Sequence, residues 1–152
     1  MAGKKSELGP TGATTAHNVK RLRNRQGLTY VDLATRLEHV GRPIPTLGLR
    51  RIEAGERRVD VDDLVALAYC LGANPNALLL PPTNENVIEI TAAGMQPAWE
   101  AWSWARGDAP ISFDATSDVA YARAAFEANT NPAQQDWSSA PNVHVVVADG
   151  DD

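Results

Sequence analysis

Apolar positions fall three and four residues apart in successive stretches of the first eighty residues, the spacing of helices with one buried face. Val19 and Leu22 mark the first stretch, predicted as a helix over Thr15 to Gln26. Thr14 or Thr15 can cap it and Gly27 stops it. Lys20, Arg21, Arg23 and Arg25 crowd the rest of its surface. The second helix opens at Thr29, which forms with Asp32 a T-x-x-D variant of the capping box. Leu33, Ala34, Leu37 and Val40 give its buried face, and Gly41 ends it. Arg42-Pro43-Ile44-Pro45 cannot be helical throughout, because a proline disfavours helix for the residue before it. A short third helix, Thr46 to Ala54, starts behind Pro45, turns Leu49 and Ile52 inward and closes at Gly55. Gly48 inside it costs about 1 kcal/mol relative to alanine, which a close approach by a neighbouring helix would explain. Asp60 caps a fourth helix, with Asp63 at the capping-box position. Val61, Leu64, Leu67, Ala68 and Leu71 form its core face, and Gly72 stops it. Asn74-Pro75 opens one more turn, which runs to Leu80.

The pattern changes at Pro81-Pro82, and a domain boundary is expected there. Residues 1–13 read as a flexible arm and 14–82 as one helical domain. Residues 83–128 read as a small module of a strand and helices, and 129–152 as a mostly disordered acidic tail. Val87 to Thr91 is a β-branched run with strand character. Met95 to Arg106 is predicted as a helix with Met95, Trp99 and Trp102 on one face, packed on that strand; Trp104 points off it. Residues 118–128 form a further candidate helix, and Val143 to Val147 a candidate strand. The expected fold class is mainly α, with a small α+β or partly disordered C-terminal segment.

Charge alters the picture more than composition does. The net charge is −5, which taken alone argues against a polyanionic partner. Residues 1–82, however, hold 12 Lys and Arg against 8 Asp and Glu, a balance of +4, whereas residues 83–152 hold 2 against 11, a balance of −9. A basic half joined to an acidic half suggests a polyanion-binding domain and a segment of different purpose. Cys70 is the sole cysteine, so no intramolecular disulfide forms, and a reduced cytoplasmic setting fits. No apolar run approaches the roughly 20 residues that span a bilayer. His17, His39 and His144 have no spacing that suggests a metal or a triad, and Cys70 reads as a packing residue. Asp149, Asp151 and Asp152 read as a solvated end. No catalytic constellation, phosphate loop, metal site or cofactor motif stands out, so the chain reads as a non-enzyme.

Several linked motifs over residues 15–80 resemble the phage-repressor helix-turn-helix family, often called Xre-like. Leu28-Thr29 with Leu33-Ala34 and Leu37 looks like its L-T-x-x-x-L-A-x-x-L helix. Leu49, Ile52-Glu53, Gly55 and Arg57-Arg58 look like its recognition helix and exit. Asp60-Val61-Asp62 through Leu71-Gly72 looks like its fourth helix. The chain departs from the family in two places. About five extra residues fall between Leu37 and Thr46, and Tyr30 stands where many members have a phosphate-contacting Gln.

The resemblance implies a double-stranded DNA operator as partner, with the 46–54 helix in the major groove. It nominates Thr46, Leu47, Arg50 and Arg51 for base contacts: an arginine fork fits guanine O6 and N7, and Leu47 and the Thr46 methyl fit a thymine methyl. Tyr30, Arg42, Arg57 and Arg58 are nominated for phosphate contacts, which fix orientation without reading sequence. Arg23 and Glu53 match positions that form a buried structural ion pair in some members. Trp99, Trp102 and Trp104 are the candidate partner interface, and residues 83–128 the candidate homodimer surface. The expected function is a transcriptional regulator, foremost a repressor such as a phage immunity repressor. The alternative is an antitoxin whose acidic C-terminal half binds a toxin.

Overall fold

A computed structural model of the chain describes residues 7–83, 86–111 and 119–130. Five helices come first: α1 (Pro10–Arg25), α2 (Tyr30–His39), α3 (Thr46–Glu53), α4 (Val61–Cys70) and α5 (Pro75–Leu79). A hairpin of β1 (Val87–Ile90) and β2 (Gly94–Pro97) follows, then α6 (Ala98–Ala105) and α7 (Val119–Thr130). The fold is mainly helical, an N-terminal five-helix unit with a small α+β appendage. No described helix is long and apolar enough to cross a membrane. The candidate strand at 143–147, and all of the expected tail beyond Thr130, lie outside the described residues.

The helix ends follow from local chemistry. At α2 the Thr29 hydroxyl accepts from the Asp32 N–H at 3.1 Å, and the Asp32 carboxylate accepts from the Thr29 N–H at 2.7 Å. That is a closed capping box. At α4 only half of the box forms: Asp60 accepts from the Asp63 N–H at 2.7 Å, while the Asp63 carboxylate turns elsewhere. At the far end of α2, Gly41 takes a φ of 77°. Its N–H bonds the Glu38 carbonyl at 3.0 Å, and the Arg42 N–H bonds that of Leu37 at 2.9 Å. Two otherwise orphaned carbonyls are thereby satisfied, and the chain leaves the helix in a defined direction.

Helix α1 starts five residues before the predicted Thr15, so the expected arm over 1–13 is corrected: residues 10–13 are helical. Pro10 sits in the first turn, where its missing N–H does no harm. The turn is then held by a contact far away in sequence. The Thr91 N–H donates to the Thr11 hydroxyl at 3.0 Å, and the Thr11 N–H donates back to Thr91 Oγ1 at 3.4 Å.

Val19, Leu33, Leu37, Leu49, Ile52, Leu67, Leu71 and Leu78 form the main core, joined by Ile44 from the α2–α3 linker. Each such side chain taken out of water contributes roughly 1.5–3 kcal/mol. Val61, expected on the core face of α4, is instead 77% exposed. The helix is rotated so that Asp63, Leu67 and Cys70 face inward. Burying Asp63 requires partners, which two arginines supply.

The appendage is docked on the helical unit rather than separated at Pro82. Leu80, Ile90, Ala101 and Ile111 form a second cluster. The Trp102 indole donates to the Pro81 carbonyl at 2.9 Å, and Asn76 donates to that of Ala105 at 2.8 Å. Buried Asn18 on α1 donates to the carbonyls of Leu78 and Leu80 at 3.0 and 2.8 Å. The predicted Met95–Arg106 helix begins only at Ala98, because residues 94–97 pair with β1 in the register Glu89 to Met95 and Ile88 to Gln96. Pro97 keeps Gln96 extended and serves as the N-cap residue of α6. The expected Met95–Trp99–Trp102 face therefore does not form. Ala98 and Ala101 are the buried residues of α6, Trp102 is half-buried, and Met95 and Trp99 are exposed.

Candidate nucleic-acid interface

Two fully buried side chains set the rotation of α3. With Leu49 and Ile52 in the core, Leu47, Arg50 and Arg51 point to solvent, and Thr46 sits half-buried at the helix start. Leu47 is 64% exposed. The four residues nominated for base contacts thus lie on or beside one open helix face. Arg51 lies 3.9 Å from Glu56, and both side chains are about half exposed, a loose pairing that constrains the arginine little.

Behind α3 lies a compact charged cluster. Arg23 Nε and Nη2 donate to the two Glu53 oxygens at 2.6 and 2.9 Å, with side chains 10% and 2% exposed. Arg23 Nη1 also donates to the Leu28 carbonyl at 2.8 Å. The hydrogen bond to Glu53, despite burial, raises the Arg23 pKa above its ordinary value. Tyr30 completes the cluster. Its hydroxyl donates to Glu53 at 2.9 Å, and its ring carries the Arg23 guanidinium 4.1 Å from the centroid. Burial, together with that hydrogen bond, raises the phenol pKa. The hydroxyl proton of Tyr30, nominated for phosphate, is directed at Glu53 here. The Arg50 guanidinium stands 4.9 Å from the same ring centroid. Tyr30 thereby braces an arginine that faces outward.

A second cluster holds the other side of α3. The Asp63 carboxylate, 3% exposed, accepts from Arg42 Nε at 2.8 Å and from Arg57 Nη2 at 2.7 Å. Arg42 Nη2 also donates to both Asp60 oxygens at 3.1 and 3.0 Å. The bond to Asp63 raises the pKa of Arg42. The N–H of Asp63, and then the charge of Arg42, hold the Asp60 carboxyl below its ordinary value. Arg42 precedes α3 and Arg57 follows it, so both exits of the helix are tied to the first turn of α4. The Arg57 guanidinium passes directly over Gly48. A Cβ there would lie 2.7 Å from Arg57 Nη1 and 3.1 Å from Ile44 Cγ2. The close approach predicted at Gly48 is thus made by an arginine and the linker, not by a neighbouring helix.

Arg42 and Arg57, nominated for phosphate, are thus engaged by carboxylates while 40% and 38% of their side chains stay exposed. Arg58 donates to the Glu7 carbonyl at 3.0 Å and is otherwise exposed. The sequence reading missed Asp63 as the hub. Its signal was the D-V-D-D run opening α4 close behind two arginine-bearing loops. Of the nominated tryptophans, Trp99 and Trp104 are exposed and Trp102 is half-buried. Among the described residues, no group of three or more His, Cys, Asp or Glu is placed to hold a metal.

Residues 16–79 match a protein-family model described as a helix-turn-helix domain. These residues run from within α1 to the end of α5. No curated protein and no solved structure matches the chain significantly. The N-terminal unit is a helix-turn-helix domain, a type of domain that binds DNA.

Proposed function

We propose that the chain is a sequence-specific double-stranded DNA-binding regulator of transcription, with α3 reading the major groove. The observation that carries this is the outward face of α3. Leu47, Arg50 and Arg51 stand free of the core, on a helix whose rotation Leu49 and Ile52 fix. Arg50 and Arg51 have the donor geometry for guanine, and Leu47 an apolar surface for a thymine methyl. Repression in the manner of phage-repressor-like proteins is the specific form of the proposal. It rests on the linked motifs from Leu28 to Gly72. A Lys- and Arg-rich first half supports attraction to phosphate. The chain needs no catalytic group for this role.

The −9 balance of residues 83–152 favours a second reading, an antitoxin whose acidic half neutralises a basic partner. Fluorescence anisotropy with the duplex upstream of the chain's own gene, against a scrambled duplex at several salt concentrations, tests the first. Selective binding that weakens as salt rises is expected, and Arg50→Ala should lose roughly 5- to 150-fold in discrimination, the equivalent of about 1–3 kcal/mol. Equal binding to both duplexes would overturn sequence specificity. Co-purification with the product of a neighbouring gene, without DNA binding, would favour the antitoxin.

A further inference from the structure

We infer that the cavity between the helical unit and the appendage is a binding site for a neutral, planar aromatic molecule that carries a carbonyl or ring-nitrogen acceptor. The cavity holds about 480 Å³. That lies within the roughly 300–1,000 Å³ of sites for drug-sized ligands. Buried Leu80 and Ile90 form its floor, and exposed Thr91 and Trp104 stand at its mouth. Its walls come from α1, α5, β1, α6 and α7, so neither unit encloses it alone. Close-packed interiors leave few voids larger than a water molecule. Here two polar ties within the wall fix its spacing: the reciprocal pair of Thr11 and Thr91, and Asn76 on the Ala105 carbonyl at 2.8 Å.

The lining selects the ligand class. None of its residues is ionisable, so a charged ligand would lose its water without gaining a counter-charge. Trp104 and Phe126, from different helices, supply aromatic surface for a flat ring to stack on or meet edge-on. The unspent polar groups are mainly donors. Thr91 Oγ1 accepts from the Thr11 N–H, and Thr11 Oγ1 accepts from the Thr91 N–H. Among the described residues, neither hydroxyl proton has an acceptor, and neither does the Trp104 indole N–H. An acceptor on the ligand satisfies them. The hollow between α1 and the start of α4 shows the contrast. Glu7, Arg58 and Asp60 line it, a charged surface unsuited to such a molecule. Because both ties to the appendage lie in the cavity wall, a bound ligand touches the helical unit and the appendage together and strengthens their docking.

Fluorescence titration of the full chain with N-phenyl-1-naphthylamine, a neutral aromatic probe that brightens in apolar surroundings, tests the site without DNA and independently of what α3 reads. Saturable binding of one probe per chain is expected, with a melting temperature that rises as probe is added. The sulfonated analogue 1-anilinonaphthalene-8-sulfonate, of similar shape but anionic, should bind more weakly by about tenfold or more. Ala105→Leu grows a side chain into the cavity, and Trp104→Ala removes one of its rings. Each should weaken the neutral probe by about tenfold. Circular dichroism melting of Trp104→Ala without probe should be unchanged, since Trp104 is 41% exposed. Trp99→Ala, outside the cavity, should leave binding as it is. Absence of saturable binding would overturn the proposal, and so would equal affinity for the two dyes. Binding indifferent to Ala105→Leu and to Trp104→Ala would also overturn it, by moving the probe to exposed apolar surface such as Met95 and Trp99.

Discussion

Behind α3, Arg23 and Glu53 meet with side chains 10% and 2% exposed; beside it, Arg42 and Arg57, 40% and 38% exposed, share the buried Asp63. Both clusters hold the same helix, and the difference lies in solvent and in redundancy. The rear pair is desolvated, and among the described residues each partner is the other's only counter-charge. Removing one strands a charge away from water. The side network keeps its arginines partly hydrated and ties one carboxylate to two of them, so it can lose an arginine without losing the hub. The rear cluster is therefore expected to set stability, and the side network to set where α3 points.

The largest expected effect tests the rear pair. Glu53→Gln should destabilise the protein by roughly 3–5 kcal/mol in urea unfolding, the range for breaking a buried pair on one side. A loss under about 1 kcal/mol would place the pair with surface ion pairs and erase the contrast. Asp63→Asn should cost less, about 1–3 kcal/mol, because its two arginines can turn to water. Combined with Arg42→Ala it should fall short of the sum of the single effects, the signature of one shared network. Strict additivity would mean that the hub is not shared.

Tyr30 offers a finer test, which rests on the DNA-binding reading. Tyr30→Phe removes the hydrogen bond to Glu53 and leaves a ring beneath Arg50; Tyr30→Leu removes both. Discrimination between operator and scrambled duplex should survive the first and fall severalfold in the second, as expected for a cation–π contact worth on the order of 0.5–1 kcal/mol. Equal loss in both would assign the effect to Glu53 rather than to the positioning of Arg50.

The smallest effect is acid sensitivity. The Thr29 hydroxyl and N–H hold the Asp32 carboxyl below its ordinary value, and Asp60 is held low as described. A depressed carboxylate stabilises the fold above its unfolded pKa and loses that contribution as pH falls through the folded value. Melting temperature should therefore stay level down to about pH 4 and decline below it. Asp60→Asn, which keeps a capping oxygen without the charge, should flatten that decline. An unchanged acid limb would show that other carboxylates govern it.

The helical core was legible because its signals are local. Thr29 with Asp32, Asp60, Asn74 with Pro75, and the glycines at 27, 41, 55 and 72 each act within one turn of their own position. The early start of α1 was not legible, since Thr11 is held by Thr91, eighty residues on. The 94–97 strand was misread although Pro97 carried the signal, because the apolar spacing of Met95, Trp99 and Trp102 imitates a helix face. Resemblance pairs Arg23 with Glu53, but it nominates Arg42 and Arg57 for phosphate and gives no sign of the Asp63 they share. Nothing local shows whether an arginine is held by a carboxylate. Burial of Asp63 decides it, and burial depends on the rotation of α4, which the exposed Val61 reveals only in three dimensions.

The tie from Arg42 to Asp63 also bears on how such a reading head could be transplanted. A helix-turn-helix pair joined by a tight turn can be moved as a cassette, because the turn itself fixes the crossing angle. Here the connection is long, and the angle is held by a bracket bolted to α4. Anyone grafting α2 and α3 into another scaffold would have to carry the first turn of α4 along with Arg57. Conversely, residues at the tip of the linker could be exchanged or added, provided that Arg42 and Ile44 keep their footholds.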